Sequence, residues 1–110
     1  MSKRDDRKII EYILKEIEDI EDFADGVSEN EFVRDTEKQK AVCLSFQNIG
    51  NYSALLSEEF VKEHDRIPWH SVYGFRTIVA HTYHKVDMTI VWEMIKSDIP
   101  ELKELVLSVL

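Results

Sequence analysis

Three glycines and two prolines in 110 residues leave this chain few means of turning. A fold of many short strands needs turn residues at roughly ten-residue intervals. Here Gly26, Gly50, Gly74, Pro68 and Pro100 are all there is. The shortage predicts few, long helices, and the apolar pattern agrees. Ile10, Ile13, Ile17, Ile20 and Ala24 recur at spacings of three and four, with Leu14 and Phe23 widening the stripe. That spacing predicts a helix from about Asp5 to Phe23. Asp5 and Asp6 are placed to cap its start, Asp25-Gly26 to stop it, and Glu11, Lys15, Glu18, Asp19 and Asp22 to form its solvated face.

Ser28-x-x-Glu31 has the form of a capping box, and a short helical turn with Phe32 and Val33 follows. Asp35 or Thr36 starts a second long helix reaching about Leu56, with Val42, Phe46, Ile49, Tyr52, Ala54, Leu55 and Leu56 as its apolar positions. Gly50 within it costs about 1 kcal/mol relative to alanine; a close approach by another helix explains its presence. Gln47, Asn48, Asn51 and Ser53 are polar and uncharged, and either line a site or interface or form a mixed surface. Ser57 to His64 forms a short helix. Pro68 takes an N1-like position, and Trp69 opens a third main helix running to about Tyr83. Asp87 caps a fourth, containing Ile90, Val91, Met94 and Ile95. Asp98-Ile99-Pro100 restarts a last one with Leu102, Leu105, Val106 and Leu110. The expected fold is all-α: an antiparallel bundle of four to five main helices, one domain spanning residues 1–110.

A hydrophobic content of 44% and a charged content of 33% exclude intrinsic disorder. Cys43 is the one cysteine, so no internal disulfide can form; its apolar surroundings predict a small buried hydrophobe. The charged start Met1-Ser2-Lys3-Arg4-Asp5-Asp6 and the lack of an apolar run long enough to span a bilayer predict a cytoplasmic protein with no membrane association. A net charge of −8 works against nucleic-acid binding, but the charge is uneven. Residues 1–59 hold 15 acids and 8 bases, whereas residues 60–90 hold 3 acids, 4 bases and all four histidines. Any chemistry is expected in that middle window.

Within it, Arg76, His81 and Tyr83 form Arg-x4-His-x-Tyr. Arginine is permanently charged and matches phosphate oxygens with paired N–H groups. Histidine exchanges protons near neutral pH. Together they suffice to cleave RNA without a metal: histidine handles the proton of the 2′-hydroxyl or of the leaving oxygen, and arginine stabilises charge building at phosphorus. Positions 76 and 83 share a helix face about 10.5 Å apart, but 76 and 81 stand about 140° apart around a regular helix. Convergence therefore needs the helix to end near His81, or a twofold mate to supply the second group. No metal site is expected, since no carboxylate joins His81 and His84 at a suitable spacing. His64 and His70 read as surface residues, and Trp69 and Trp92 as core or interface anchors.

Ile67-Pro68-Trp69, Gly74-Phe75-Arg76, His81-x-Tyr83, Val86-Asp87 and Val91-Trp92 together resemble the HepT-like toxins of the HEPN superfamily. The resemblance extends to Ala41-Val42, Ile49-Gly50 and Asp98-Ile99-Pro100-Glu101-Leu102. It implies an all-α homodimer, a metal-independent endoribonuclease with RNA as substrate and no cofactor, and Arg76 and His81 as catalytic residues. It also implies an MntA-like minimal nucleotidyltransferase antitoxin that transfers AMP to Tyr83. Thr77 stands where the family often has asparagine, and Asn51 where it often has glutamate. Both, with Asn48, are candidate supporting polar residues. The competing expectation is a non-catalytic companion subunit that binds a nucleotide or substrate for a nucleotidyltransferase, with Arg76 and His81 holding phosphate. A blander one is a helical scaffold whose Arg76 and Tyr83 stabilise a dimer.

Overall fold

The computed structural model describes residues 3–82 and 87–110, with side chains described for 5–77 and 87–110. Its regular structure is entirely helical: α1 (Lys3–Ala24), α2 (Glu29–Phe32), α3 (Thr36–Ser53), α4 (Glu58–Glu63), α5 (Trp69–Thr82), α6 (Met88–Glu93) and α7 (Ile99–Ser108). Helix α3 lies in the middle, with α1 packed along one flank and α5 along the other, and α7 rests on α1. The described residues occupy 42 × 26 × 20 Å.

The stripe read from the first helix is the floor of this arrangement. Ile13, Ile17 and Ile20 are wholly buried, as are Val42, Phe46 and Ile49 on α3. Phe46 meets Phe75 of α5 edge to face at 5.2 Å between ring centres, the geometry aromatic quadrupoles favour. Cys43 is buried as expected, and that burial pushes its thiol pKa up. Trp69 and Trp92 are half-buried against the core. Trp69 donates its indole N–H to the His64 carbonyl at 3.0 Å, closing the end of α4, and Trp92 meets Phe32 in a tilted ring contact.

Three of the capping signals are met. Glu31 N–H donates to Ser28 Oγ at 3.1 Å, while Ser28 N–H donates to the Glu31 carboxylate at 3.2 Å. Asp35 caps α3 through Lys38 N–H, and Asp87 caps α6 through Thr89 N–H. Gly26 ends α1 with φ at +70°, a left-handed conformation that glycine adopts without a Cβ penalty.

Five expectations need correction. Asp6 does not cap α1; it lies inside the helix at 2% exposure and reaches α4. Its two carboxylate oxygens accept from Ser57 N–H at 2.9 Å and Ser57 Oγ–H at 2.6 Å. Ser57 Oγ in turn accepts from Phe60 N–H, capping α4. Helix α3 stops at Ser53 rather than Leu56, because Ser53 Oγ–H bonds the Gly50 carbonyl and Leu55 and Leu56 tighten onto carbonyls three residues back. Pro68 sits one residue before α5, its carbonyl accepting from Val72 N–H. His64 is half-buried, its ring 4.4 Å from Phe60, while His70 is exposed as expected. Finally, α7 begins at Ile99 with Pro100 in its first turn, as expected, but Asp98 gives it no side-chain cap and the chain does not break there: a π-helical turn, Met94–Asp98, joins α6 to α7 with helical dihedrals at both joints. Pro100 lacks an N–H and its ring crowds the preceding turn. A wider turn just before it lets the rod continue.

The Asp6 contact carries a prediction. Asp6→Ala strands the part-buried Ser57 backbone N–H and frees the α4 cap residue, which costs about 1–2 kcal/mol. Urea unfolding is expected to show a lower midpoint at unchanged slope; a wild-type midpoint contradicts this role.

Candidate active site on helix α5

Arg76 sits midway along α5 where that helix crosses α3. Gly50 makes the crossing possible. A Cβ built there would lie 2.8 Å from Arg76 N, 2.9 Å from Arg76 Cβ and 3.0 Å from the Tyr73 carbonyl oxygen. Those atoms are backbone or next to it and cannot swing aside. The close approach expected of Gly50 is thus present, and the residue it admits is the motif arginine.

The Arg76 side chain is half-buried. Its guanidinium carbon lies 4.3 Å from the centre of the Tyr73 ring, and one Nη donates to the Tyr73 hydroxyl. Its Nε is buried and has no hydrogen-bond partner among the described residues. None of the ion pairs among the described residues includes Arg76; they are Arg7–Glu11, Lys15–Asp19 and Lys103–Glu21. The guanidinium charge is therefore held by a neutral aromatic side chain.

The other candidates divide into two groups. Asn48 is half-buried on α3, while Asn51 and Thr77 are exposed. Among the described residues the group that engages the guanidinium is none of these but Tyr73, which the motif reading passed over. The available signal was an aromatic three residues before an arginine on one helix, a spacing that brings side chains together. The side chain of His81, and Tyr83 altogether, lie outside the described residues. The α5 backbone is helical through Thr82, however, so Arg76 and His81 stand on one regular helix, about 140° apart.

A cavity of about 490 Å³ opens on the other flank of α5, between Val72 and Phe75 and the rod formed by α6 and α7, where Met94 and Leu102 line it. Asp98 and Glu101 also border it. The Asp98 carboxyl pKa is raised, first by burial and then by the charge of Glu101. The cavity lining is mostly apolar, with His70, Ser71, Asp98 and Glu101 as the polar side chains. Among the described residues no three His, Cys, Asp or Glu side chains gather to hold a metal, and no described helix is long and apolar enough to cross a membrane.

An all-helical bundle whose half-buried motif arginine joins no ion pair among the described residues defines the class only as a small helical domain. Comparison narrows the class. The family model described as Ribonuclease HepT-like matches residues 13–109. A Caldanaerobacter subterraneus protein named "Putative RNase TTE0752" is 35% identical over 104 residues, covering 94% of this chain and 93% of its own. "Probable ribonuclease HepT" of Thermococcus cleftensis is 34% identical, covering 92% of each chain. "Putative RNase MJ1380" of Methanocaldococcus jannaschii is 30% identical, covering 94% of this chain and 95% of its own. No solved structure matches. The chain belongs to the HepT-like ribonuclease family.

Proposed function

We propose that this chain is a metal-independent endoribonuclease, the toxin of a two-gene pair, with Arg76 and His81 as catalytic residues and a homodimer as the working unit. The observation that carries the reading is Arg76 itself: a motif arginine seated over Gly50, held by a neutral tyrosine, in a chain of the HepT-like family. In the reaction the RNA 2′-oxygen attacks the adjacent phosphorus. Histidine accepts the 2′-hydroxyl proton while water protonates the leaving 5′-oxygen, or its protonated form protonates that oxygen while water takes the 2′-hydroxyl proton, as the P–O5′ bond breaks. Arg76 stabilises the charge on the non-bridging oxygens. The products are a 2′,3′-cyclic phosphate and a 5′-hydroxyl.

The helical geometry favours a site shared between two copies. With the α5 backbone helical through Thr82, positions 76 and 81 stand about 140° apart around it, and a twofold mate can bring its histidine opposite Arg76. For control, an MntA-like nucleotidyltransferase transfers AMP from ATP to Tyr83, the phenolic oxygen attacking the α-phosphorus and pyrophosphate leaving. On this reading each AMP added to Tyr83 brings phosphate charge to the Arg76 site, where it competes with substrate.

The test is co-production with the neighbouring nucleotidyltransferase, intact-mass measurement and peptide mapping. AMP increments of the chain mass on the Tyr83 peptide, and growth arrest when the chain is expressed alone, support the proposal. An unmodified chain that is harmless when expressed alone favours the nucleotide-binding companion subunit, to which the net charge of −8 also leans.

A further inference from the structure

We infer that Tyr73 is a positioning residue for the motif arginine: a neutral holder that fixes the guanidinium while leaving its charge for the substrate phosphate. The inference deepens the proposed reading and rests on it for the identity of the substrate.

An arginine side chain free in solvent samples many rotamers, and each must be given up when it docks on a phosphate. Two contacts from one side chain remove that freedom beforehand. The Tyr73 ring lies under the guanidinium at 4.3 Å, and its hydroxyl accepts from Nη. The backbone beneath is fixed as well, since Gly50 packs against Arg76 N and the Tyr73 carbonyl. Tyr73 remains 40% exposed, so its side chain contributes little to the core.

The chemistry of the holder matters. The chain carries 22 carboxylates. A carboxylate at position 73 would order Arg76 equally well but neutralise it, and a substrate phosphate would have to displace a competing anion. A phenol at neutral pH carries no charge, and the quadrupole of its ring attracts the cation without cancelling it. The buried, unpartnered Nε fits the same account. The guanidinium is held in place yet not fully satisfied, so an arriving phosphate still gains hydrogen bonds. The position is local to α5: Tyr73 lies one helical turn before Arg76 and moves with it.

The test compares Tyr73→Phe and Tyr73→Leu. In RNA cleavage, Tyr73→Phe, which keeps the ring, is expected to lower kcat by about threefold to tenfold, and Tyr73→Leu by about a hundredfold. KM changes less than kcat, and the melting temperature stays at the wild-type value. In an Arg76→Ala background, Tyr73→Leu should cause no further loss. Wild-type kcat in Tyr73→Leu, or the same fold-loss with and without Arg76, overturns the inference. A second readout does not depend on RNA. The buried Nε–H of Arg76 is expected to give a resolved, slowly exchanging nitrogen–proton NMR resonance in the wild type. That resonance should merge with the bulk arginine signal in Tyr73→Leu. An unchanged resonance in that variant overturns the positioning role. Absent RNA cleavage by a wild-type chain whose Arg76 resonance does respond to Tyr73→Leu removes the ribonuclease reading instead, and leaves the holder in place.

Discussion

Arg76→Ala is expected to lower the rate of RNA cleavage by about 10²–10³-fold, the effect of removing a preorganised donor from a developing oxyanion. The loss falls mainly on kcat, because the guanidinium matters most once charge has built at phosphorus. Stability should change little, since the contact that the described residues supply to the guanidinium is the exposed Tyr73. Arg76→Lys should recover only a small part of the rate. A lysine keeps the charge but cannot present a planar pair of N–H donors. A shared site adds a second outcome. Arg76→Ala and His81→Ala protomers are each inactive alone. Mixed in equal amounts, they form half their dimers as hybrids, each with one intact Arg76–His81 pair, and activity should return to roughly a quarter of wild type. If both residues act within one chain, the mixture stays dead.

Gly50→Ala is expected to hurt activity far more than its chemistry implies. A methyl group at 2.8 Å from Arg76 N and 2.9 Å from Arg76 Cβ forces α3 and α5 apart. Overpacking costs about 1–3 kcal/mol, offset in part by about 1 kcal/mol of helix propensity gained on leaving glycine. The net loss of stability is modest. Arg76 rides on the helix that moves, however, and a misplacement of about 1 Å is worth roughly a hundredfold in rate. The expected variant is folded and nearly dead, with a melting point several degrees below wild type. A Gly50→Ala chain with wild-type cleavage would show that the crossing does not position the arginine. Gly74→Ala is the internal control, because a Cβ there meets nothing within 4 Å.

Much of this was readable from the residues because the governing forces are local. The isoleucine stripe of α1, the Ser28–Glu31 capping box and the Asp35 and Asp87 caps depend on neighbours within a few positions, and each is where the pattern placed it. Gly50 was legible too, since a glycine in mid-helix needs a reason. Contacts made across the fold were not. Asp6 looked like a cap because it stands near a helix start, but its partner Ser57 is 51 residues away. Asp98-Ile99-Pro100 does open α7, but the π-helical turn that joins it to α6 without a break left no mark in the local pattern. At the candidate site, Arg76 was found by its motif and Tyr73 was not, because an aromatic three residues before an arginine is a spacing that permits a contact without requiring one. The motif spacing singled out His81 and Tyr83, and only the helical backbone at His81 falls within the described residues.

The measurement that goes straight to the central claim is incubation of the purified chain with single-stranded RNA in excess EDTA, followed by analysis of the product ends. The account predicts cleavage undiminished by the chelator, 2′,3′-cyclic phosphate and 5′-hydroxyl termini, and loss of both in Arg76→Ala and His81→Ala. Intact RNA, 5′-phosphate ends, or cleavage that survives both substitutions would contradict it.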